Sequence, residues 1–190
     1  MGIHTVTELS HRKLRGVFLD RDGVINRAAV RDGKPYAPAT FEELEILPDA
    51  SSALSDLKRG GFLLLVITNQ PDVGRGLIPR DVVERMNRFL ASALPLDGVF
   101  VCYHSDEDAC DCRKPLPGLL VRAARDRGLD LARSFVIGDR WRDIEAGHNA
   151  GCVTILIDRA YKEKAPACEP DVRVKSLREA ADWILMSDSH

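Results

Sequence analysis

No run of apolar residues in this sequence approaches the roughly 20 needed to span a bilayer, so a membrane-spanning helix is not expected. Charge of one sign is not in excess either. The 27 Lys and Arg face 29 Asp and Glu, a formal net charge of −2, so no global basic field recruits nucleic acid or an acidic membrane surface. Met1 to Arg15 carries charges but no apolar core, so it does not read as a secretory signal and a cytoplasmic protein is expected. Cysteines are few and odd in number, five in 190 residues, whereas a secreted disulfide scaffold needs even pairing and a smaller, loop-rich chain. Internal repeats, low-complexity tracts and long linkers are missing too. With 45% hydrophobic and 29% charged residues, what remains is one globular domain over residues 1–190, expected to be monomeric.

Short apolar runs alternate with segments of helical period. That rhythm predicts an α/β fold, a doubly wound parallel sheet covered on both faces. Strands are expected at Gly16–Leu19, Phe62–Thr68, Val99–Val101, Ser134–Gly138 and Cys152–Asp158. Helical stripes are expected over Pro48–Lys58, Arg80–Leu94, Leu116–Gly128, Asp143–Ala150 and Ser176–Met186, with Gly60, Gly128 and Gly151 as stop signals.

Polar residues collect where these strands end: Asp20 and Asp22, Thr68 and Asn69, Asp139 and Asp143. In open parallel sheets, ligands bind beyond the carboxyl ends of the strands, where strand order reverses. Carboxylates gathered there repel one another unless a cation sits among them, and a hard divalent ion with oxygen ligands, Mg²⁺, meets that need. Aspartates also favour loops after strands for turn reasons alone, which accounts for one or two of them but less well for three acidic or hydroxylic strand ends.

Three of the five cysteines fall within eleven residues, in Cys102-Tyr103-His104 and Cys110-Asp111-Cys112. Residues two apart on extended chain point the same way, so each pair converges, and the loop over residues 105–109 can fold back to complete a tetrahedron. Cys₃His matches a closed, structural zinc site over about residues 102–112. The other reading is a set of reduced thiols beside a loop histidine, which a short polar loop buries poorly. Cys152 and Cys168 receive no role.

Phe18-Leu19-Asp20-Arg21-Asp22-Gly23-Val24-Ile25-Asn26 resembles the first motif of the haloacid dehalogenase superfamily of phosphatases. Ile67-Thr68-Asn69-Gln70 resembles its second, Arg113-Lys114-Pro115 its third, and Ile137-Gly138-Asp139-Arg140 with Asp143 its fourth. The four stand in family order and span most of the chain. The resemblance implies a Mg²⁺-dependent phosphatase in which Asp20 attacks phosphorus to form an aspartyl-phosphate, splitting one hard step into two. Asp22 would then serve as general acid and base. Thr68 and Lys114 would hold the phosphoryl oxygens, and Asp139 would complete the Mg²⁺ site with Asp20 and the backbone carbonyl of Asp22. Asp143 is expected just outside that site. Gly23 is expected to permit a turn that a side chain would obstruct.

Cysteines and a histidine directly before Arg113-Lys114-Pro115 resemble one branch of the superfamily, that of the D,D-heptose 1,7-bisphosphate and histidinol-phosphate phosphatases. The resemblance implies a zinc that scaffolds the loop presenting the Arg113-Lys114 pair. Too few residues separate Asp22 from the helix near Pro48 for a cap domain, so a capless, open site is expected. Asn69, Gln70, Arg113, Arg140 and Tyr36 are the expected substrate contacts, though Tyr36 between two prolines also suits loop packing. The heptose substrate, losing its 7-phosphate, is favoured over histidinol phosphate, and Gly74-Arg75-Gly76 is compatible with that group. Two departures stand against the pattern: Pro71-Asp72-Val73-Gly74 where Ser-Gly-Ile-Ala is usual, and Arg140 in place of lysine. A phospho-aspartate signalling receiver domain shares the clustered acids, Thr and Lys, but an acid/base at Asp22 would shorten the life of its signal.

Overall fold

The structure, a computed structural model, describes residues 14–187. The N-terminal segment read above as lacking a secretory core therefore lies, over residues 1–13, outside the described residues. In chain order the elements are β1 (Gly16–Leu19), β2 (Ala29–Arg31), β3 (Lys34–Tyr36), α1 (Ala50–Arg59), β4 (Leu63–Asn69) and α2 (Pro71–Gly74). They continue with α3 (Arg80–Ala93), β5 (Gly98–Cys102), α4 (Gly118–Arg127), β6 (Phe135–Gly138), α5 (Trp141–Ala150), β7 (Val153–Ile157), β8 (Val172–Val174) and α6 (Leu177–Ser187).

Six strands form one sheet in the order β5-β4-β1-β6-β7-β8, every neighbouring pair parallel. Both faces are covered, and the pleat sorts the core. Val17, Leu19, Leu64 and Val66 pack in one cluster with Ala53, Leu54 and Leu57 of α1 and Ala181 and Ile184 of α6. Phe18, Leu65 and Ile67, pointing the other way, pack with Leu119, Leu120 and Ala123 of α4 and Ala146 of α5. Strands buried on both faces carry no polar alternation, which is why β1 and β4 are continuous apolar runs. Strand order reverses around central β1, and the crevice at its carboxyl end is where ligands lodge in such sheets.

Several elements differ from the sequence reading, among them the short helix α2, where none was expected. A sixth strand, β8, adds an edge beside β7; three residues are too few to declare a period. A separate two-stranded hairpin, β2–β3, turns at Asp32 and Gly33, both with positive φ (53° and 80°). That Asp-Gly pair is the usual signal for a two-residue hairpin turn, and it lay open in the sequence. Helix α5 begins at Trp141 rather than Asp143, because Asp143 accepts from the backbone N–H of Arg140 as part of a capping box.

Candidate active site

β1 delivers Asp20 to the crevice, its backbone N–H bonded to the Ile137 carbonyl of β6 at 2.9 Å. The chain then turns sharply. Gly23 holds φ at +90°, and a Cβ there would stand 1.8 Å from Asp139 Oδ2. Glycine at this position is therefore required twice, by backbone conformation and by the approach of Asp139.

Lys114 is the central cation. It is 4% exposed, and Nζ donates to Asp20 Oδ1 (2.8 Å), Asp143 Oδ1 (2.5 Å) and the Ile67 carbonyl (2.9 Å). An ammonium has three donors, and all three are engaged. Burial alone would lower its pKa, but Asp143 and Asp20 outweigh that and the net shift is upward. Burial pushes the Asp20 carboxyl up to about 6, with Lys114 opposing and Asp143 and Asp22 adding to the rise.

Asp20, Asp139 and Asp143 bring one oxygen each to within 4.8 Å of one another. Asp139 is 5% exposed, and neither carboxylate oxygen has a hydrogen-bond partner. Its pKa is raised well above the ordinary carboxylate value, by burial first and then by Asp20 and Asp143. The Tyr161 hydroxyl opposes the rise only in part, and a buried carboxylate without a well-formed hydrogen bond beside two others is the arrangement that a hard cation relieves. Asp143 also accepts from Lys114 through Oδ1 and from the Arg140 N–H through Oδ2.

The Asp22 carboxylate turns away from that trio. It accepts from Arg21 Nε (3.1 Å) and Nη2 (3.0 Å), Asn26 Nδ2 (2.9 Å) and Gln70 Nε2 (2.8 Å). Gln70 also donates to the Thr68 hydroxyl oxygen at 3.0 Å. Asn69 is occupied differently from the substrate contact expected of it: its side chain bonds both the N–H and the carbonyl of Lys114, each at 3.1 Å, and so fixes the segment carrying that lysine.

Around these lies a cavity of about 240 Å³, lined among others by Asp20, Asp22, Thr68, Asn69, Gln70 and Lys114, with Tyr36, Arg113 and Arg140 also on its wall. Every expected catalytic and substrate-contacting residue thus faces one space, and Asp139 lies buried beneath it. Two features of the rim were not legible beforehand. Asp106, within the cysteine loop, gathers three arginines: Arg75 (2.7 Å), Arg113 (2.7 Å) and Arg142 (3.5 Å). Their guanidinium groups, Arg113 foremost, hold its carboxyl below the usual range. Arg140 pairs with Glu163 from the loop after β7. Arg113 stands seven residues from Asp106, but the other partners lie 23 to 36 residues apart, and nothing local in the sequence signals their contacts.

Cys102, His104, Cys110 and Cys112 converge as expected, with one ligand atom of each within 4.8 Å of the others. The contacts are 3.5 Å for Cys102 Sγ to His104 Nδ1, 3.2 Å for His104 Nδ1 to Cys112 Sγ and 3.3 Å between the two sulfurs. Ligands about 2.0–2.3 Å from one tetrahedral ion stand at comparable separations, and none of the three cysteines is in a disulfide. Burial pushes the Cys102 thiol up to about 12, so the thiolate form calls for a cation. Gly74 packs here: a Cβ on it would meet the Tyr103 carbonyl at 2.4 Å.

Residues 111–180 match a family profile described as "HAD-hyrolase-like". Among curated proteins, the D-glycero-beta-D-manno-heptose-1,7-bisphosphate 7-phosphatase of Helicobacter pylori (strain J99) is 35% identical, the match covering 90% of this chain and 97% of that protein. The protein of the same name from Escherichia coli (strain K12) is 32% identical over 93% and 91%. A crystal structure of D,D-heptose 1.7-bisphosphate phosphatase from B. bronchiseptica, complexed with magnesium and phosphate, superposes with a TM-score of 0.77 at 29% identity, covering 92% of this chain and 99% of that one. The parallel sheet with an acidic crevice at its switch point and these likenesses define a phosphoric monoester hydrolase of the haloacid dehalogenase type. The chain belongs to the haloacid dehalogenase superfamily, in the branch of the heptose-bisphosphate phosphatases. Among the described residues, no helix is long and apolar enough to cross a membrane.

Proposed function

We propose that this enzyme removes the 7-phosphate of D-glycero-D-manno-heptose 1,7-bisphosphate through a phosphorylated Asp20. The observation that carries the reading is the pairing of Asp20 with buried Lys114 beside buried Asp139, at a cavity whose wall carries Arg75, Arg113, Arg140 and Arg142, in a chain whose curated relatives bear that substrate in their names.

Asp20 would attack phosphorus as the bond to the sugar oxygen breaks, with Asp22 giving its proton to the departing alkoxide. Water would then bond to phosphorus as the bond to Asp20 breaks, giving its proton to Asp22. Such transfers depend mainly on positioning and on charge stabilisation. Lys114 and the Thr68 hydroxyl would cradle the phosphoryl oxygens, and the arginines at the rim would face the remote phosphate. Asp20, Asp139 and the Asp22 backbone carbonyl would hold Mg²⁺, which when bound supplies positive charge to the phosphoryl oxygens. The Cys₃His cluster would hold zinc as a scaffold for the loop bearing Arg113. One domain, acting as a monomer in the cytoplasm, completes the reading.

Phosphate release from a panel of sugar monophosphates, both anomers of the heptose bisphosphate and histidinol phosphate tests it. The bisphosphate should lead, turnover should need Mg²⁺, and Asp20→Asn should lose activity by orders of magnitude. Near wild-type turnover by Asp20→Asn rules out the covalent route, and preference for histidinol phosphate rules out the substrate.

A further inference from the structure

Arg21 has no part in the mechanism above, yet it is the largest fully buried side chain among the described residues, at 0% exposure. A guanidinium taken wholly out of water costs several kcal/mol unless it is paired and hydrogen-bonded. Arg21 is both. Nε and Nη2 donate side by side to the two oxygens of Asp22, and Nη1 donates to Asn87 Oδ1 at 3.0 Å. Asn87 sits on α3 and is itself buried. The fork therefore runs from a helix, through Arg21, to the carboxylate two residues beyond the nucleophile.

We propose that Arg21, anchored by Asn87, is the positioning residue that holds the Asp22 carboxylate in the place and plane needed to take a proton from water. The inference rests on the acid/base role proposed for Asp22. A paired fork fixes a carboxylate's plane as well as its place, which a single donor does not. Asn26 and Gln70 add one bond each, so the carboxylate accepts four hydrogen bonds and donates none. So aimed, it would take water's proton in the second half of the reaction, when the Asp20–phosphorus bond breaks and water's oxygen takes its place. Arginine is required because the ammonium of lysine is a point charge without the fork.

A residue that merely stabilises the fold would lower turnover evenly. A residue that aims the base would slow hydrolysis of phospho-Asp20 more than its formation. The test uses wild type, Arg21→Met, Arg21→Lys, Asn87→Ala and Asp22→Asn, assayed with a sugar phosphate and with p-nitrophenyl phosphate, whose leaving group departs without a proton. Arg21→Met should lose about 10²-fold in kcat, the scale of a small misplacement of a reacting group, with KM falling as well, because slow hydrolysis lets phospho-Asp20 accumulate. Arg21→Lys should recover part of the loss, and Asn87→Ala should lose less than Arg21→Met. With p-nitrophenyl phosphate, Arg21→Met should release a burst of nitrophenolate equal to the enzyme, and acid-quenched samples should carry phosphate on Asp20.

Wild-type kcat in either Arg21→Met or Asn87→Ala overturns the inference, as does an even loss on both substrates with no phosphoenzyme. Should Arg21→Met fail to fold, Asn87→Ala carries the same comparison. Asp22→Asn separates the two levels. If it too keeps the wild-type rate, the acid/base reading itself is wrong; if it accumulates phosphoenzyme while the Arg21 and Asn87 variants do not, only this inference is lost.

Discussion

Lys114→Met removes the cation on which the acidic floor depends. In the wild type, Nζ sits 2.8 Å from Asp20 and 2.5 Å from Asp143, with Asp139 in the same cluster. Methionine fills similar space but strands these carboxylates in a buried site. Removing one partner of a buried pair typically costs about 3–5 kcal/mol, and in a domain of this size each kcal/mol moves the melting temperature by about 2–4 °C. The metal-free variant should therefore melt about 6–20 °C below wild type at pH 8. The loss should depend on pH with a definite sign. Asp20's folded pKa, already about 6 with Lys114 present, lies above the unfolded value near 3.8. A raised carboxyl binds its proton in the folded state first, so its effect on stability becomes unfavourable as pH climbs from about 4 to about 6 and is constant above that. Without Lys114 the folded value rises further, and at pH 5 Asp20 is largely neutral. The deficit should thus shrink at pH 5, and adding Asp20→Asn to Lys114→Met should restore much of it at pH 8. Thermal unfolding by circular dichroism in EDTA, at both pH values, measures all of this. An equal deficit at pH 5 and pH 8, or none at either, would refute the electrostatic account of the floor.

Two further outcomes are expected. Cys110→Ser should lose the bound zinc, lower stability and raise KM more than it lowers kcat; a variant that keeps one zinc per chain by metal analysis would contradict the scaffold reading. Asp106→Asn should leave stability within about 1 kcal/mol, because Asp106 is itself half-exposed and such ion pairs contribute little. It frees donors on Arg75, Arg113 and Arg142 while Arg113 stays held by the His104 carbonyl, so KM for the bisphosphate should fall by about threefold; a rise would mean that Asp106 chiefly orders the arginines.

The parts of this protein that the sequence settled are those whose physics is local. The apolar runs of β1 and β4 and the stripes of α1, α3 and α6 record burial by period alone, and each helix stop fell at or next to its glycine. The acidic strand ends and the paired spacing of Cys102 with His104 and Cys110 with Cys112 follow from strand geometry, and both gatherings occur in the fold. The hairpin turn at Asp32-Gly33 was legible but unused. Other features depended on which distant segments arrive together. Arg21 reads as one more charged residue until α3 supplies Asn87, 66 positions away. Lys114 becomes the hub because β4 brings Ile67 and α5 brings Asp143 to the same point. The pairing of Arg140 with Glu163 waits on where the loop after β7 lies, and a loop folding back through Arg159 onto the Gly23 carbonyl has no periodic signature. Burial leaves a pattern along the chain because every residue on a face shares one surrounding. A charged side chain acquires its role from single partners, and only tertiary structure decides which partners those are.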